Sequence, residues 1–255
     1  MRMDFSSLET LSHRLGWGEY YAWHIAGFLL AYFSLAVSSH YLIRNLLVKR
    51  KWGFYIDERP LKIGQISSEI RNSFASMFFL SFFAVLALKL EQYGYLTILW
   101  RDISPMRVLI DIFLFAVWNE VYFFFCHWLL HQPFFFRHVH IVHHQSVTTS
   151  SFSTLSFHWF EALLYSGTMI MIMLVHHFNI LAIMAWPAIS LLANTFGHSN
   201  FSFNINQQGK DFLENNFRHS THHKRINRNF AFWAQWPDKT LHWFQNDRSK
   251  SDAHP

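Results

Sequence analysis

The sequence has few charged residues and almost no cysteine. Only 15% of its 255 residues are charged, against about 25% in a typical soluble domain. The single cysteine, Cys126, cannot form an intramolecular disulfide, which excludes an oxidised extracellular scaffold. Glycine (9 residues) and proline (6 residues) are also scarce, so no flexible linker divides the chain. These absences argue against a disordered chain, a nucleic-acid-binding basic domain and an ordinary soluble enzyme.

The apolar residues are concentrated in long runs. A helix needs about 20 residues to cross the hydrocarbon core of a bilayer. Ala22–Ile43 and Ser73–Leu88 contain no charged residue, and Val108–Leu130 is long enough but carries two acidic residues. Two further runs, Ala162–Val175 and Ile180–Phe196, form either a full hairpin or a shallower re-entrant pair. The sequence therefore predicts an all-α integral membrane protein with four to five transmembrane or re-entrant helices.

Lysine and arginine are most frequent in one predicted loop. Residues 44–72 contain seven of them, whereas residues 89–107 contain three. Basic loops usually remain in the cytoplasm, so residues 44–72, the region near His131 and the tail after residue 197 are predicted to be cytoplasmic. The formal net charge of +5 then belongs to the membrane surface and gives no case for nucleic acid. A multi-pass protein of the bacterial inner membrane or endoplasmic reticulum is expected, with residues 199–218 as a loop or lid.

Histidine is over-represented, with 18 residues. Nine of them form an H-x-x-x-H motif, two H-x-x-H-H motifs and one isolated position: His127, His131, His140, His143, His144, His198, His219, His222 and His223. Residues four apart on a helix share one face, so His127 and His131 can reach one ion. All nine lie at the predicted cytoplasmic ends of the spans. Eight others are expected to be ordinary polar or interfacial residues: His13, His24, His40, His138, His176, His177, His242 and His254.

This histidine pattern is typical of a metal site. Imidazole is a neutral nitrogen ligand suited to iron, zinc, copper and nickel, and one ion takes about four to six such ligands. Nine imidazoles therefore suggest two ions, and the near absence of thiolate disfavours iron–sulfur clusters and zinc–cysteine sites. We expect a cytoplasmic, histidine-rich helical cap that carries a dinuclear metal site.

The order of these motifs resembles the fatty acid hydroxylase / sterol desaturase superfamily of membrane-bound di-iron enzymes. The resemblance covers roughly residues 110–236, with residues 1–106 similar only as anchoring spans. Glu120 stands seven residues before His127, where family members often carry aspartate. His158-Trp159-Phe160-Glu161 keeps the histidine and glutamate of a His-Pro-x-Glu element. The expected division is anchoring spans and a basic loop in 1–106, a catalytic domain in 107–236 and a polar tail in 237–255.

The resemblance implies both cofactors and partners. Two iron ions, with zinc possible in a structure, would use O2 as co-substrate to hydroxylate or desaturate a C–H bond of a lipid in the bilayer. The nine histidines would be ligands, and Asn194 is a possible further ligand because some family branches carry histidine there. Electrons would come from a separate donor, such as a cytochrome b5-like protein, a ferredoxin or a reductase.

Catalytic roles are expected for three further residues. Glu120 would accept a hydrogen bond from a ligand imidazole and fix its tautomer, unless it only pairs two helices. His158 and Glu161 would be ligands or support the ligands, unless they only begin a helix. Asp111 is expected at the membrane interface.

Two other functions remain open at this point. A histidine-rich metal transporter or store without oxygenase activity would place its ligands at mid-membrane depth. A haem-binding electron carrier would need only four histidines within the spans, and it leaves the two H-x-x-H-H motifs unexplained.

Overall fold

The computed structural model describes residues 2–203, 215–226 and 229–240. Within these residues the structure is mostly helical, with four two-residue strands. The helices are α1 (Ser6–Arg14), α2 (Trp17–Leu42), α3 (Gln65–Gln92), α4 (Pro105–Leu130), α5 (Pro133–Phe135), α6 (Ile141–His144), α7 (Trp159–Met173), α8 (Ile180–Gly197) and α9 (Asn215–Lys224). The strands are β1 (Phe54–Tyr55), β2 (Ile98–Leu99), β3 (Phe178–Asn179) and β4 (Phe201–Ser202).

Shorter helical turns complete this architecture. A π-helical turn, Ile43–Leu47, continues α2. A second π-helical turn, Phe136–His140, joins α5 to α6, so that residues 133–144 form one continuous helical segment. A 3-10 turn, Ser151–Leu155, precedes α7.

Four of the helices are long and apolar enough to cross a membrane. They are Trp17–Leu47, Gln65–Gln92, Pro105–Leu130 and Ile180–Gly197. The predicted mostly helical fold with four long apolar helices is therefore confirmed. The helices are longer than the apolar runs of the sequence, because polar turns with capping residues extend them at their ends. At the start of α4, for example, the Ser104 hydroxyl accepts a hydrogen bond from the Arg107 amide at 3.2 Å, and Pro105 occupies the first turn.

Two small sheets mark the opposite ends of the helical bundle. β1 pairs antiparallel with β4, so Phe54 faces Ser202. β2 pairs in parallel with β3, so Ile98 faces Phe178. Because α3 begins after β1 and ends before β2, these sheets lie at opposite ends of α3. We call the β1–β4 end the histidine end, since β4 follows His198, and the β2–β3 end the far end. The α7–α8 pair therefore reaches from the histidine end to the far end.

Asp111, which the sequence leads us to expect at the membrane interface, is buried among polar partners at the far end. Its side chain is fully buried. Its carboxylate accepts hydrogen bonds from the Arg107 guanidinium at 2.9 Å and from the Asn179 side chain at 2.6 Å, and His176 lies 2.9 Å away. A carboxylate in an apolar helix is costly unless such partners compensate its desolvation. The network fastens the start of α4 to the turn between α7 and α8.

Gly53 permits the close pairing at the histidine end. A Cβ atom at this position would meet the carbonyl oxygen of Ser202 and the ring of Phe201. We expect Gly53→Ala to disrupt the β1–β4 pairing and to lower the free energy of unfolding by about 1–3 kcal/mol. Thermal unfolding in detergent measures this as a lower Tm. Gly27→Ala is the control, because a Cβ there has no heavy atom within 4 Å. An unchanged Tm for Gly53→Ala would contradict the packing described here.

Candidate metal centre

Four segments of the chain bring the nine histidines together at the histidine end. They are the last turn of α4 with the residue that follows it, the helical segment 133–144, the residue after α8, and α9. Eight of the nine side chains are buried, and His131 is half-buried. Each segment is separated from the next by at least one turn or helix, so the site forms only when the bundle packs.

The nine histidines divide into two groups. The five-histidine group contains His127, His131, His140, His144 and His222. The four-histidine group contains His143, His198, His219 and His223. Within each group, one ligand atom from every residue lies within 4.8 Å of all the others. Either group is therefore compact enough to hold one ion.

Each H-x-x-H-H motif contributes to both groups. His143 belongs to the four-histidine group and its neighbour His144 to the five-histidine group, and His223 and His222 divide in the same way. Adjacent residues of a helix point about 100° apart, so their rings diverge instead of converging on one point. Consecutive histidines can therefore serve two neighbouring ions, which explains why the doublet occurs in both motifs.

The proton positions in the five-histidine group follow from its hydrogen bonds. Nδ1 of His127 lies 2.7 Å from the carbonyl oxygen of Phe230, and Nδ1 of His140 lies 2.9 Å from Oε1 of Glu161. A carbonyl oxygen and an ionised carboxylate can only accept, so Nδ1 of His127, and Nδ1 of His140 when Glu161 is ionised, carries the proton and leaves a bare lone pair on Nε2. The two Nε2 atoms lie 3.1 Å apart. Two lone pairs facing each other at this distance repel unless a cation lies between them.

The four-histidine group contains the same arrangement. Nδ1 of His143 faces the carbonyl oxygen of Ser156 at 3.3 Å, and Nδ1 of His198 faces that of Asn194 at 2.8 Å. The Nε2 atoms of His143 and His198 are consequently both unprotonated, yet they lie 3.3 Å apart. In addition, Nε2 of buried His144 has no hydrogen-bond partner among the described residues. The residues present therefore fit one metal ion in each group.

Burial keeps these imidazoles neutral. Desolvation lowers the pKa of His131 to about 2 and the pKa of His198 to about 4. Burial likewise lowers the pKa of His143 and His219 well below the usual value, and neighbouring histidines add to the effect. A lowered pKa means that the neutral form prevails at pH 7, so the lone pairs remain available for a metal ion.

The two predicted carboxylates have different partners. Glu161 lies at the start of α7, is fully buried and contacts the His140 ring. Glu120 instead accepts hydrogen bonds from the backbone amides of Trp233 and Ala234 at 3.1 Å. Thus Glu161 contacts a ring of the histidine groups, whereas Glu120 contacts the backbone of residues 233–234. Glu120 lies about three helical turns before the end of α4, where residues 233–234 supply the donors.

His158 and Asn194 lie outside both histidine groups. Nδ1 of His158 accepts a hydrogen bond from the Phe160 amide at 3.2 Å, so this residue caps α7. The side-chain nitrogen of Asn194 donates to the Ser190 carbonyl at 2.8 Å. The backbone carbonyl oxygen of Asn194 accepts a hydrogen bond from Nδ1 of His198. The predicted lid over residues 199–218 falls mostly on residues 204–214, which lie outside the described residues.

Asp238 supports the site through the segment after α9. Its carboxylate accepts hydrogen bonds from the amides of Phe230 at 2.8 Å and Ala231 at 3.2 Å, and it pairs with Arg218 at 3.3 Å. These contacts hold the Phe230 carbonyl against His127. The signal in the sequence was Trp236-Pro237-Asp238, which loosely resembles the Trp-Asp ending of the family.

Asp57 connects the loop between α2 and α3 to the histidine segments. Its carboxylate accepts a hydrogen bond from the Thr148 hydroxyl at 3.1 Å and pairs with Lys224 at 3.3 Å. Its backbone exchanges two hydrogen bonds with the Asn200 side chain. The hydrogen bond from Arg59 holds the pKa of Asp57 well below its usual range. Thr148, Asn200 and Lys224 each follow a histidine closely, but no sequence pattern in the loop revealed this connection.

Removing one histidine from either group tests the two-ion assignment. We expect His127→Ala and His219→Ala each to reduce bound metal from about two ions per chain to about one, because each group loses ligands independently. Inductively coupled plasma mass spectrometry on purified protein measures the content. His138→Ala is the control, since this exposed ring faces Phe134 of its own helical segment and belongs to neither histidine group. Full metal content in both variants would contradict the assignment.

The Glu161 carboxylate should control metal affinity through His140. Glu161→Leu removes the acceptor of the Nδ1 proton, and the loss of such a partner typically costs about 10–100-fold in affinity. Glu161→Gln keeps an acceptor oxygen and should lose less. Competition with a chelator at increasing concentrations measures the affinity. Equal retention of metal by the wild-type protein and Glu161→Leu would show that the contact has no such role.

The comparison with known families agrees with this geometry. The profile of the family named Fatty acid hydroxylase matches residues 112–242. This range begins within α4, ends after Asp238 and includes all nine histidines. No solved structure shows a significant match to the chain. The matched range covers half of the 255 residues, and the chain therefore belongs to the fatty acid hydroxylase family, within the fatty acid hydroxylase / sterol desaturase superfamily.

Proposed function

We propose that this protein is a membrane-bound di-iron oxidoreductase that uses O2 and external electrons to hydroxylate or desaturate a C–H bond of a lipid. The observation that carries the proposal is the pair of facing, unprotonated Nε2 atoms in each histidine group. Membership of the fatty acid hydroxylase family supports a lipid substrate. The family also favours iron as the metal, because its members are di-iron enzymes.

In this proposal, each histidine group holds one iron ion. When bound, the two ions supply the reductive activation of O2 that an unactivated C–H bond requires. The protein contributes the ligands and their orientation. The carbonyl oxygens of Phe230, Ser156 and Asn194 each accept a hydrogen bond from the Nδ1 atom of one histidine. The Glu161 carboxylate accepts a further one, from His140. These contacts fix the tautomers and aim each Nε2 atom inward.

The surroundings of the histidines would also exclude water. The rings of Phe123 and Phe230 lie 5.0 and 6.1 Å from the His127 ring, measured between centroids. The rings of Phe157 and Phe232 similarly contact His143 and His219 at 5.0 and 5.8 Å. A dry, aromatic enclosure protects a strong oxidant from side reactions with solvent.

The position of the site supports access from both the bilayer and the cytosol. His131 follows directly after α4 and His198 directly after α8, so the histidines lie where two long apolar helices end. The loop 44–64, which belongs to the most basic loop of the chain, meets the same end through β1 and Asp57. By the distribution of basic residues, this end faces the cytoplasm. An electron donor such as a cytochrome b5-like protein, a ferredoxin or a reductase would then bind there.

The alternative functions are less consistent with this arrangement. A transporter needs ligands midway along the spans, whereas these histidines lie at the ends of α4 and α8. A haem carrier would use two pairs of histidines and would leave the remaining five rings without a role. Neither alternative accounts for two compact groups that share both H-x-x-H-H motifs.

Lipid profiling tests the proposed function. Cells that express the wild-type protein should accumulate a lipid that has gained one oxygen atom or lost two hydrogen atoms, as measured by mass spectrometry. His143→Ala removes a ligand of the four-histidine group and should reduce this product by about a hundredfold or more. His138→Ala is the matched control and should retain the product. A product at the wild-type level in cells with His143→Ala would overturn the proposal.

A further inference from the structure

A large apolar cavity lies between the helices, below the histidines. Its volume is about 780 Å³, within the range of about 300–1,000 Å³ for ligand pockets. Its walls come from α1, α2, α3, α4, α7 and α8. Along α8 the lining runs from Ile180 to Asn194, a distance of about 21 Å at the helical rise per residue. The cavity is therefore long enough for an extended lipid chain.

The lining of the cavity carries no charge. None of its described residues is Asp, Glu, Lys or Arg. Several polar side chains in the wall are already bonded to their own surroundings. The Tyr122 hydroxyl donates to the Leu164 carbonyl at 2.8 Å, and the Ser166 hydroxyl donates to the Ala162 carbonyl at 2.6 Å. A charged headgroup would lose its hydration inside this cavity without gaining a partner of opposite charge.

One end of the cavity reaches the histidine groups. Three aromatic residues line the cavity and also contact a histidine ring: Phe123 against His127, Phe157 against His143, and Phe232 against His219. The opposite end is lined by Leu8 and Leu11 of α1, which are 41% and 54% exposed. The occupant therefore has one end beside the histidines and the other beside α1.

The cavity opens sideways between α2 and α8. Gly27 and Ala31 of α2, together with Pro187 and Ala188 of α8, line the cavity and are exposed on the outer surface of the helices. Gly27 lies about 15 Å along α2 from Trp17, near the middle of this long helix. At that depth, a bilayer presents hydrocarbon chains to the opening.

The wall is closed between this opening and the histidine end. Immediately after Ala31, the buried Tyr32 hydroxyl donates to the Phe152 carbonyl at 2.7 Å and contacts the Ser73 hydroxyl at 3.0 Å. This contact packs α2 against the 3-10 turn and α3. Near the far end, by contrast, Nδ1 of His24 lines the cavity and has no hydrogen-bond partner among the described residues. The polar group of a ligand thus finds an unpartnered ring nitrogen in the half of the cavity that faces α1.

From these features we infer that the cavity binds one long, uncharged lipid chain, which enters between α2 and α8. Its tail end lies beside the aromatic rings that contact the histidines, and its polar end, an uncharged group such as a hydroxyl, lies toward α1 and His24. This inference rests on the proposed function and deepens it, because oxidation would fall on the tail, remote from the polar group. A lipid whose charged headgroup must stand beside the reacting carbon does not fit this cavity.

Photo-crosslinking with two derivatives of hexadecanol tests the binding mode. One probe carries a diazirine at the tail end, and the other carries it beside the hydroxyl. After irradiation of the purified protein in detergent, mass spectrometry identifies the labelled peptides. The tail probe should label residues 119–123 and 154–165, whereas the hydroxyl-side probe should label residues 8–24. The reverse pattern, or labelling that palmitoyl-CoA suppresses as well as hexadecanol does, would overturn the inference.

A substitution at the opening provides a matched pair of variants. Gly27→Phe places a ring at the entrance and should lower labelling by at least about tenfold, which corresponds to about 1.4 kcal/mol. Gly18→Phe is the control, because Gly18 lies on the same helix, does not line the cavity and, like Gly27, has no heavy atom within 4 Å of an added Cβ. Bound metal and Tm serve as checks that both variants fold. Equal labelling of the two variants would exclude entry between α2 and α8.

The crosslinking result is independent of catalysis. The measurement needs neither reductant nor product, so a failure of the proposed oxidation does not affect it. Correct labelling without any oxidised lipid in cells would contradict only the proposed function. Oxidised lipid without cavity labelling would contradict only the inference about the cavity.

Discussion

The contact between unprotonated imidazole nitrogens is the constraint on which the rest of this structure depends. His127 and His140 in one group, and His143 and His198 in the other, direct Nε2 lone pairs at each other across 3.1 and 3.3 Å. Burial prevents protonation from relieving this repulsion, so a bound cation would stabilise the arrangement. Metal binding and the packing of the histidine segments should therefore be strongly coupled.

Much of the surrounding structure serves to hold those rings. Four oxygen acceptors form hydrogen bonds with the Nδ1 atoms of the histidines: the carbonyl groups of Phe230, Ser156 and Asn194 and the carboxylate of Glu161. Asp238 and Asp57 contact no histidine in these hydrogen bonds. Asp238 binds the segment that contains the Phe230 carbonyl, and Asp57 binds Thr148, which follows the first H-x-x-H-H motif in the chain. The loop between α2 and α3 lies outside the range of the family profile, yet Asp57 joins it to three histidine segments. The part of the chain before residue 112 thus contributes to the site through this loop.

The histidine end and the cavity provide two different chemical environments. The histidine end combines polar ligands with acceptors that orient them, whereas the cavity below it is uncharged and extends along α8. Three phenylalanine rings separate these environments and contact both. In the proposed function, this arrangement brings an inert hydrocarbon chain close to the oxidising centre while the polar part of the lipid remains at a distance. Specificity would then come mainly from the shape and depth of the cavity.

The sequence alone determined the helical class, the four long apolar helices and the family, because bilayer thickness and histidine spacing are local properties of the chain. It also identified the nine histidines that the fold brings together. Only the tertiary structure decided which histidines share a group. The side chains of neighbours such as His143 and His144 point in different directions from the helix, and each belongs to a group with histidines from distant segments. The same holds for the partners of Glu161 and Glu120, and for the burial of Asp111. The type of a residue limits the hydrogen bonds that its side chain can make, whereas long-range packing determines which partner lies within reach.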